Sequence, residues 1–255
     1  MRTLGDCPIE FESLGDPADP AIVLIMGLGM QLTSWPDEFC QALVEGGFRV
    51  VRLDNRDSGL SGRVTGGPRP KLLLAMAASL LGLPVRTAYT LHDMAGDVAS
   101  VMDALQIAGA HVVGVSMGGM IAQVFAASHP ERALSLTSIM SSSGNPRVSR
   151  PSRKAQQVLL RRPGNPDDTE SVINHLVAMF GVIGSPAYPE PEATLRQRVA
   201  RGVHRAYVPA GTTRQLLAVI ASGDRRKLLR TIKAPTLVIH GRDDPLVPLA
   251  AGQDT

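Results

Sequence analysis

Between the apolar run His111–Val115 and the helix-period stretch Met117–Ser128 stands Gly114-Val115-Ser116-Met117-Gly118, extended by Gly119. A G-x-S-x-G pattern alone recurs by chance. A strand before it and a helix behind it make it specific, because that is the strand–turn–helix setting an activated serine requires. The flanking glycines permit the tight, strained turn that lifts the serine hydroxyl above a sheet. The helix amino terminus behind the turn favours developing negative charge. A chain with this element folds as strands connected by helices, with Ser116 as the candidate nucleophile.

The surrounding sequence agrees. Ile9–Leu14 reads as a short strand, followed by the turn Gly15-Asp-Pro-Ala-Asp-Pro20. Ala21–Met26 is a continuous apolar run, as expected of a strand covered on both faces. Trp35–Glu45 has helical spacing, Phe48–Leu53 is the next strand, and His92–Leu105 sets Met94, Val98, Val101, Met102 and Leu105 on one helical face. Leu134–Met140 is a further strand. From Ser141 the character changes to prolines, arginines and short helical patterns, and the alternation resumes only at Thr236–His240. This predicts an α/β core in two parts, residues 1–143 and 223–255, with residues 144–222 inserted as a helical cap.

At 255 residues with 44% hydrophobic content the chain can bury a substantial core. Two cysteines far apart, Cys7 and Cys40, predict reduced thiols in a cytoplasmic protein. The amino terminus has no apolar region of signal-peptide type. Leu72–Val85, the longest apolar tract, is shorter than a spanning helix and contains Gly82 and Pro84, so it reads as buried or interfacial and no membrane span is expected. The net charge of +3 is uneven: Asn145–Lys233 carries 16 Arg or Lys against 6 Asp or Glu, and the remainder carries 10 against 17. Such a basic segment would suit an anionic partner or substrate, but the arginines are not interleaved with aromatics and no nucleic-acid motif accompanies them, so a solvated surface lid is the simpler reading. No metal-ligand spacing occurs.

Four landmarks together resemble the α/β-hydrolase superfamily, over about Ile9 to Pro248. Met26-Gly27-Leu28-Gly29 ends a strand where relatives usually carry His-Gly-x. Asp54-Asn55-Arg56-Asp57-Ser58-Gly59-Leu60-Ser61 is similar to D-x-R-G-x-G-x-S, with Asp57 in place of the usual glycine. Gly114–Gly118 is the third. His240-Gly241-Arg242-Asp243-Asp244-Pro245-Leu246-Val247-Pro248 resembles the segment that delivers the catalytic acid. The wording of the first two resembles bacterial esterases near the aclacinomycin methylesterase group. The resemblance implies a mostly parallel central sheet with helices on both faces and a helical cap. It implies an oxyanion hole from the backbone amides of Leu28 and Met117, and Asp244 as the acid, with Asp243 the neighbouring alternative. Arg56 and Asp57 are expected to tie loops together. The implied activity is hydrolysis of a small-molecule carboxylic ester through an acyl-enzyme, without metal or cofactor.

In this superfamily the chain order is serine, acid, histidine. Eleven residues follow Asp244 and none is histidine. His92, His111, His129, His175, His204 and His240 all precede it. The first three read as structural, His240 as a buried strand-end residue, and His175 and His204 lie in the cap. The resemblance therefore implies that the catalytic histidine, one further strand and a closing helix lie beyond residue 255, and that the 255-residue chain is itself inactive. A serine-triad carbon–carbon hydrolase, lactonase or perhydrolase stays open, as does a catalytically silent binding protein. Acyl and alcohol specificity and oligomeric state are not legible.

Overall fold

The computed structural model describes residues 1–3, 7–161 and 163–255. Six strands form one sheet: β1 Phe11–Leu14, β2 Ala21–Ile25, β3 Arg49–Leu53, β4 Ala110–Val115, β5 Ala133–Ile139 and β6 Thr236–Ile239. Their spatial order is β1-β3-β2-β4-β5-β6. β1 runs antiparallel to β3, and every other pairing is parallel. The helices are α1 Asp37–Glu45, α2 Leu72–Leu80, α3 Leu91–Ala104, α4 Met117–Ser128, α5 Arg153–Leu160, α6 Thr169–Ile183, α7 Glu192–Arg205, α8 Pro209–Ser222, α9 Arg226–Leu229 and α10 Leu249–Asp254.

All five residues of β2 are buried. Alternate side chains point to opposite faces of a strand, and β2 divides accordingly. Ala21, Val23 and Ile25 join the larger core with α3 and α4, whereas Ile22 and Leu24 pack with Trp35, Cys40 and Val50 on the other face. β3 is buried throughout despite its two arginines. Arg52 is satisfied by Glu12, Asp37 and the Trp35 carbonyl, and Arg49 by Ser13.

The strand limits sharpen the sequence reading. β1 begins at Phe11 rather than Ile9, and Trp35 precedes its helix, which starts after Pro36. Leu72–Val85 is not a core segment: it contributes the surface helix α2, with Ala75 its one fully buried residue. β6 is the outer strand, pairs with β5, and exposes all four of its residues. Between β5 and β6 the chain is helical, α5 to α9, and α6 and α7 share a small apolar core of Ile173, Val177, Leu195 and Val199.

From β2 the chain steps outward to β3, which lies between β2 and β1, then crosses back to β4 on the other side of β2. In open α/β sheets such a reversal leaves a crevice at the carboxyl ends of the strands on either side of it, here β2 and β4.

Candidate active site

Ile25 of β2 lies opposite Gly114 of β4, so the loops that leave those strands, Met26-Gly27-Leu28 and Val115-Ser116, emerge side by side. Contact there is close. A Cβ built on Gly27 would lie 3.3 Å from Ser116 Cβ and 3.8 Å from its Oγ. On the other side of the turn, a Cβ on Gly118 would meet the Ile25 carbonyl at 2.1 Å, which is why a side chain is not tolerated where α4 packs onto β2.

Ser116 has φ 56° and ψ −119°. A non-glycine residue there carries strain on the order of 1–3 kcal/mol and needs surroundings that hold it. Two hydrogen bonds do so. Ser116 N donates to the Ile139 carbonyl at 2.8 Å, extending the β4–β5 ladder into the turn, and Ser141 Oγ donates to the Ser116 carbonyl at 2.7 Å. The Ser116 hydroxyl itself makes no hydrogen bond among the described residues.

Met117 follows Ser116 in the chain, and Leu28 follows Gly27, whose backbone packs against Ser116. Among the described residues neither backbone amide donates to a backbone or side-chain acceptor. Both N–H groups belong to peptides fixed by their neighbours. Met117 is buried at the start of α4. The next amide after Leu28, Gly29 N, donates to Gln215 Oε1 at 2.8 Å, and the Gln215 amide nitrogen donates to the Arg56 carbonyl at 2.8 Å. Gln215 is fully buried. An uncommitted amide on a braced loop and another at a helix start, near an uncommitted hydroxyl, are what stabilisation of a tetrahedral oxyanion needs.

Asp244 lies in the loop after β6, at the same end of the sheet. Its Oδ1 accepts from Leu246 N and Val247 N, both at 2.9 Å, which fixes the carboxylate. Asp243 is exposed. No hydrogen bond joins Asp244 to Ser116 among the described residues.

The six histidines take other places. His240 Nε2 lies 2.7 Å from the Val247 carbonyl and 3.7 Å from Asp244 Oδ2. A carbonyl only accepts, so Nε2 carries the proton and donates. Its buried Nδ1 has no partner among the described residues. His111 bonds Ser135, His129 packs on Phe125, and His92 and His204 are exposed. His175 lies half-buried on α6. Among the described residues, no hydrogen bond joins any of the six to Ser116.

Arg56 and Asp57 brace the loops. Arg56 forms a bidentate pair with Asp97 at 2.6 and 2.7 Å. Asp57, at positive φ and fully buried, accepts from Arg214 at 2.8 and 2.6 Å, from Tyr89 at 2.8 Å and from Val64 N at 3.0 Å. Burial pushes the Asp57 carboxyl up, but these donors outweigh it and hold it below the usual carboxylate range. For Asp97 burial wins, and its carboxyl is raised despite Arg56. Asp54 accepts from Leu32 N, Leu60 N and Arg205 of α7. Arg205, Arg214 and Gln215 were not singled out from sequence. Each lies more than 150 residues from its partner, and its one local signal is a polar side chain within a helix.

A family model described as alpha/beta hydrolase fold matches residues 20–254. The rhodomycin D methylesterase DauP of Streptomyces sp. (strain C5) is 29% identical over 97% of this chain and 83% of its own length. The 2-hydroxy-6-oxononadienedioate/2-hydroxy-6-oxononatrienedioate hydrolase of Burkholderia vietnamiensis is 30% identical over 91% of this chain and 73% of its own. Among solved structures, the enol-lactonase of Burkholderia xenovorans LB400 superposes with a TM-score of 0.69 at 25% identity, over 97% of this chain and 83% of that one. Fold and site define an α/β enzyme of the hydrolase class. The chain belongs to the α/β-hydrolase family.

Proposed function

We propose that the protein hydrolyses a small-molecule carboxylic ester through an acyl-enzyme on Ser116. The observation that carries this reading is the strained, pinned Ser116 backbone with its hydroxyl uncommitted beside the free amides of Leu28 and Met117. Ser116 Oγ attacks the ester carbonyl as a base takes its proton. The two amides hold the oxyanion until the alcohol leaves, and water then releases the acid. Asp244 orients the base and stabilises its imidazolium. That base is a histidine other than the six present here, since none of them hydrogen-bonds Ser116 and His240 Nε2 is committed as a donor. In the family's chain order the base follows the acid.

The helices between β5 and β6 serve as the cap, residues 144–222. The separate core of α6 and α7, and the reach of Arg205, Arg214 and Gln215 into the loops around Ser116, support this. The methylesterase similarity favours an ester over the carbon–carbon bond or lactone named for other relatives. The two unpaired cysteines support a cytoplasmic location. Among the described residues no helix is long and apolar enough to cross a membrane.

The placement of the histidines also favours a second reading, a silent binding protein that keeps the fold. Reading the gene past the codon for Thr255 separates the two, because a glycine-flanked histidine within the next few dozen residues is required by the enzyme and not by the binder. Labelling by a fluorophosphonate, lost in Ser116→Ala, then tests the nucleophile directly.

A further inference from the structure

Helix α2 and the turn after it hold an apolar surface that no part of the described chain covers. Leu73, Leu74, Met76, Leu80, Leu81 and Leu83 are between 44% and 75% exposed. Ala75 faces inward, and the helix rests on α8. A run of large exposed apolar side chains of this kind marks a contact surface.

The charge around it says what the contact is. From Ser58 to His92 the sequence contains no carboxylate, and its four cations, Arg63, Arg69, Lys71 and Arg86, flank the apolar run. All four are exposed. Among the described residues none of them lies within ion-pair distance of a carboxylate, and no acid stands among them. Arg63 and Arg69 donate only to backbone carbonyls of their own loop.

We propose that α2 and its basic flanks dock on the surface of an anionic lipid bilayer. The leucines would enter the boundary between headgroups and acyl chains, and the long stems of Arg69, Lys71 and Arg86 would let their charges stay among lipid phosphates. At nine residues the helix is too short to span, so the contact is shallow. A symmetric pairing of α2 with a second copy is disfavoured, since it would bring two sets of unpaired cations together without an acid between them. This inference does not depend on the chemistry at Ser116.

Sedimentation of the 255-residue chain with vesicles tests it. Phosphatidylcholine vesicles are compared with vesicles of phosphatidylcholine and phosphatidylglycerol, at low and high salt. Binding is expected to the anionic vesicles, roughly tenfold or more above the neutral ones, and to weaken with salt. Leu80→Ser with Leu81→Ser, and separately Lys71→Gln with Arg86→Gln, should each lower it while leaving circular dichroism and thermal unfolding unchanged, because these side chains are exposed. Absence of binding, equal binding to neutral vesicles, or unchanged binding by the folded leucine variant overturns the proposal. Self-association lost in the leucine variant, with no vesicle affinity, assigns the surface to a second copy instead.

Discussion

Gln215 Oε1 accepts a hydrogen bond from Gly29 N at 2.8 Å, joining α8 to the loop that carries the Leu28 amide. The Leu28 N–H points where it does partly because the next peptide is held from the helical segment. Gln215→Leu should therefore lower kcat more than it changes KM, in the gene product read to its stop codon. A misplaced donor accounts for a fall of up to about 10²-fold. Gln215→Glu keeps the acceptor for Gly29 N and should retain most of the turnover that Gln215→Leu loses. Equal losses in the two variants, or a change in KM alone, would show that Gln215 serves packing only.

Asp244 and Asp243 differ in their surroundings, one fixed by two backbone amides and the other exposed. Asp244→Asn should lower turnover by several orders of magnitude, about 10⁴ in a well-studied triad, by favouring the wrong histidine tautomer. Asp243→Asn should stay near wild type. Steady-state kinetics on an ester substrate give the ranking, and the reverse order would move the acid one residue back.

The Arg214–Asp57 pair sets a pH dependence. Asp57 is held below its usual range in the folded protein, so the pair's stabilisation is present above about pH 4, the unfolded carboxylate value, and is lost as pH falls through the lower folded value. Removing the guanidinium leaves a buried carboxylate, and Arg214→Met should cost about 3–5 kcal/mol near neutral pH. Burial then raises the Asp57 carboxyl, so protonation relieves the variant. The stability difference from wild type, measured by denaturant unfolding, should shrink between pH 7 and pH 4. A difference independent of pH would mean that the pair contributes packing rather than charge.

How far the sequence reveals this molecule depends on how local each signal is. The turn at Ser116 is set by glycines within two residues of it and by the strand and helix on either side, so it was legible. That Asp244 stands in a loop just after a strand was legible in the same way, from the segment His240–Pro248. Arg214 and Gln215 were not, because their partners Asp57 and Gly29 are 157 and 186 residues away. Nothing local distinguishes a helical glutamine that braces a distant loop from one that faces water. Leu72–Val85 stayed ambiguous because an all-apolar run has no periodicity to assign an inward face. The structure resolves it into a surface helix with Ala75 inward.

The central claim is that Ser116 is the nucleophile of a preorganised ester-hydrolysing site. Rapid-mixing measurement of p-nitrophenol release from a short-chain p-nitrophenyl ester, by the gene product read to its stop codon, tests it most directly. A burst matching the enzyme concentration is expected, followed by slower turnover, as acyl-enzyme on Ser116 accumulates. In Ser116→Ala the burst should vanish, and turnover should fall on the order of 10⁶-fold, as in a serine protease lacking its nucleophile. Near-wild-type turnover by Ser116→Ala would contradict the account.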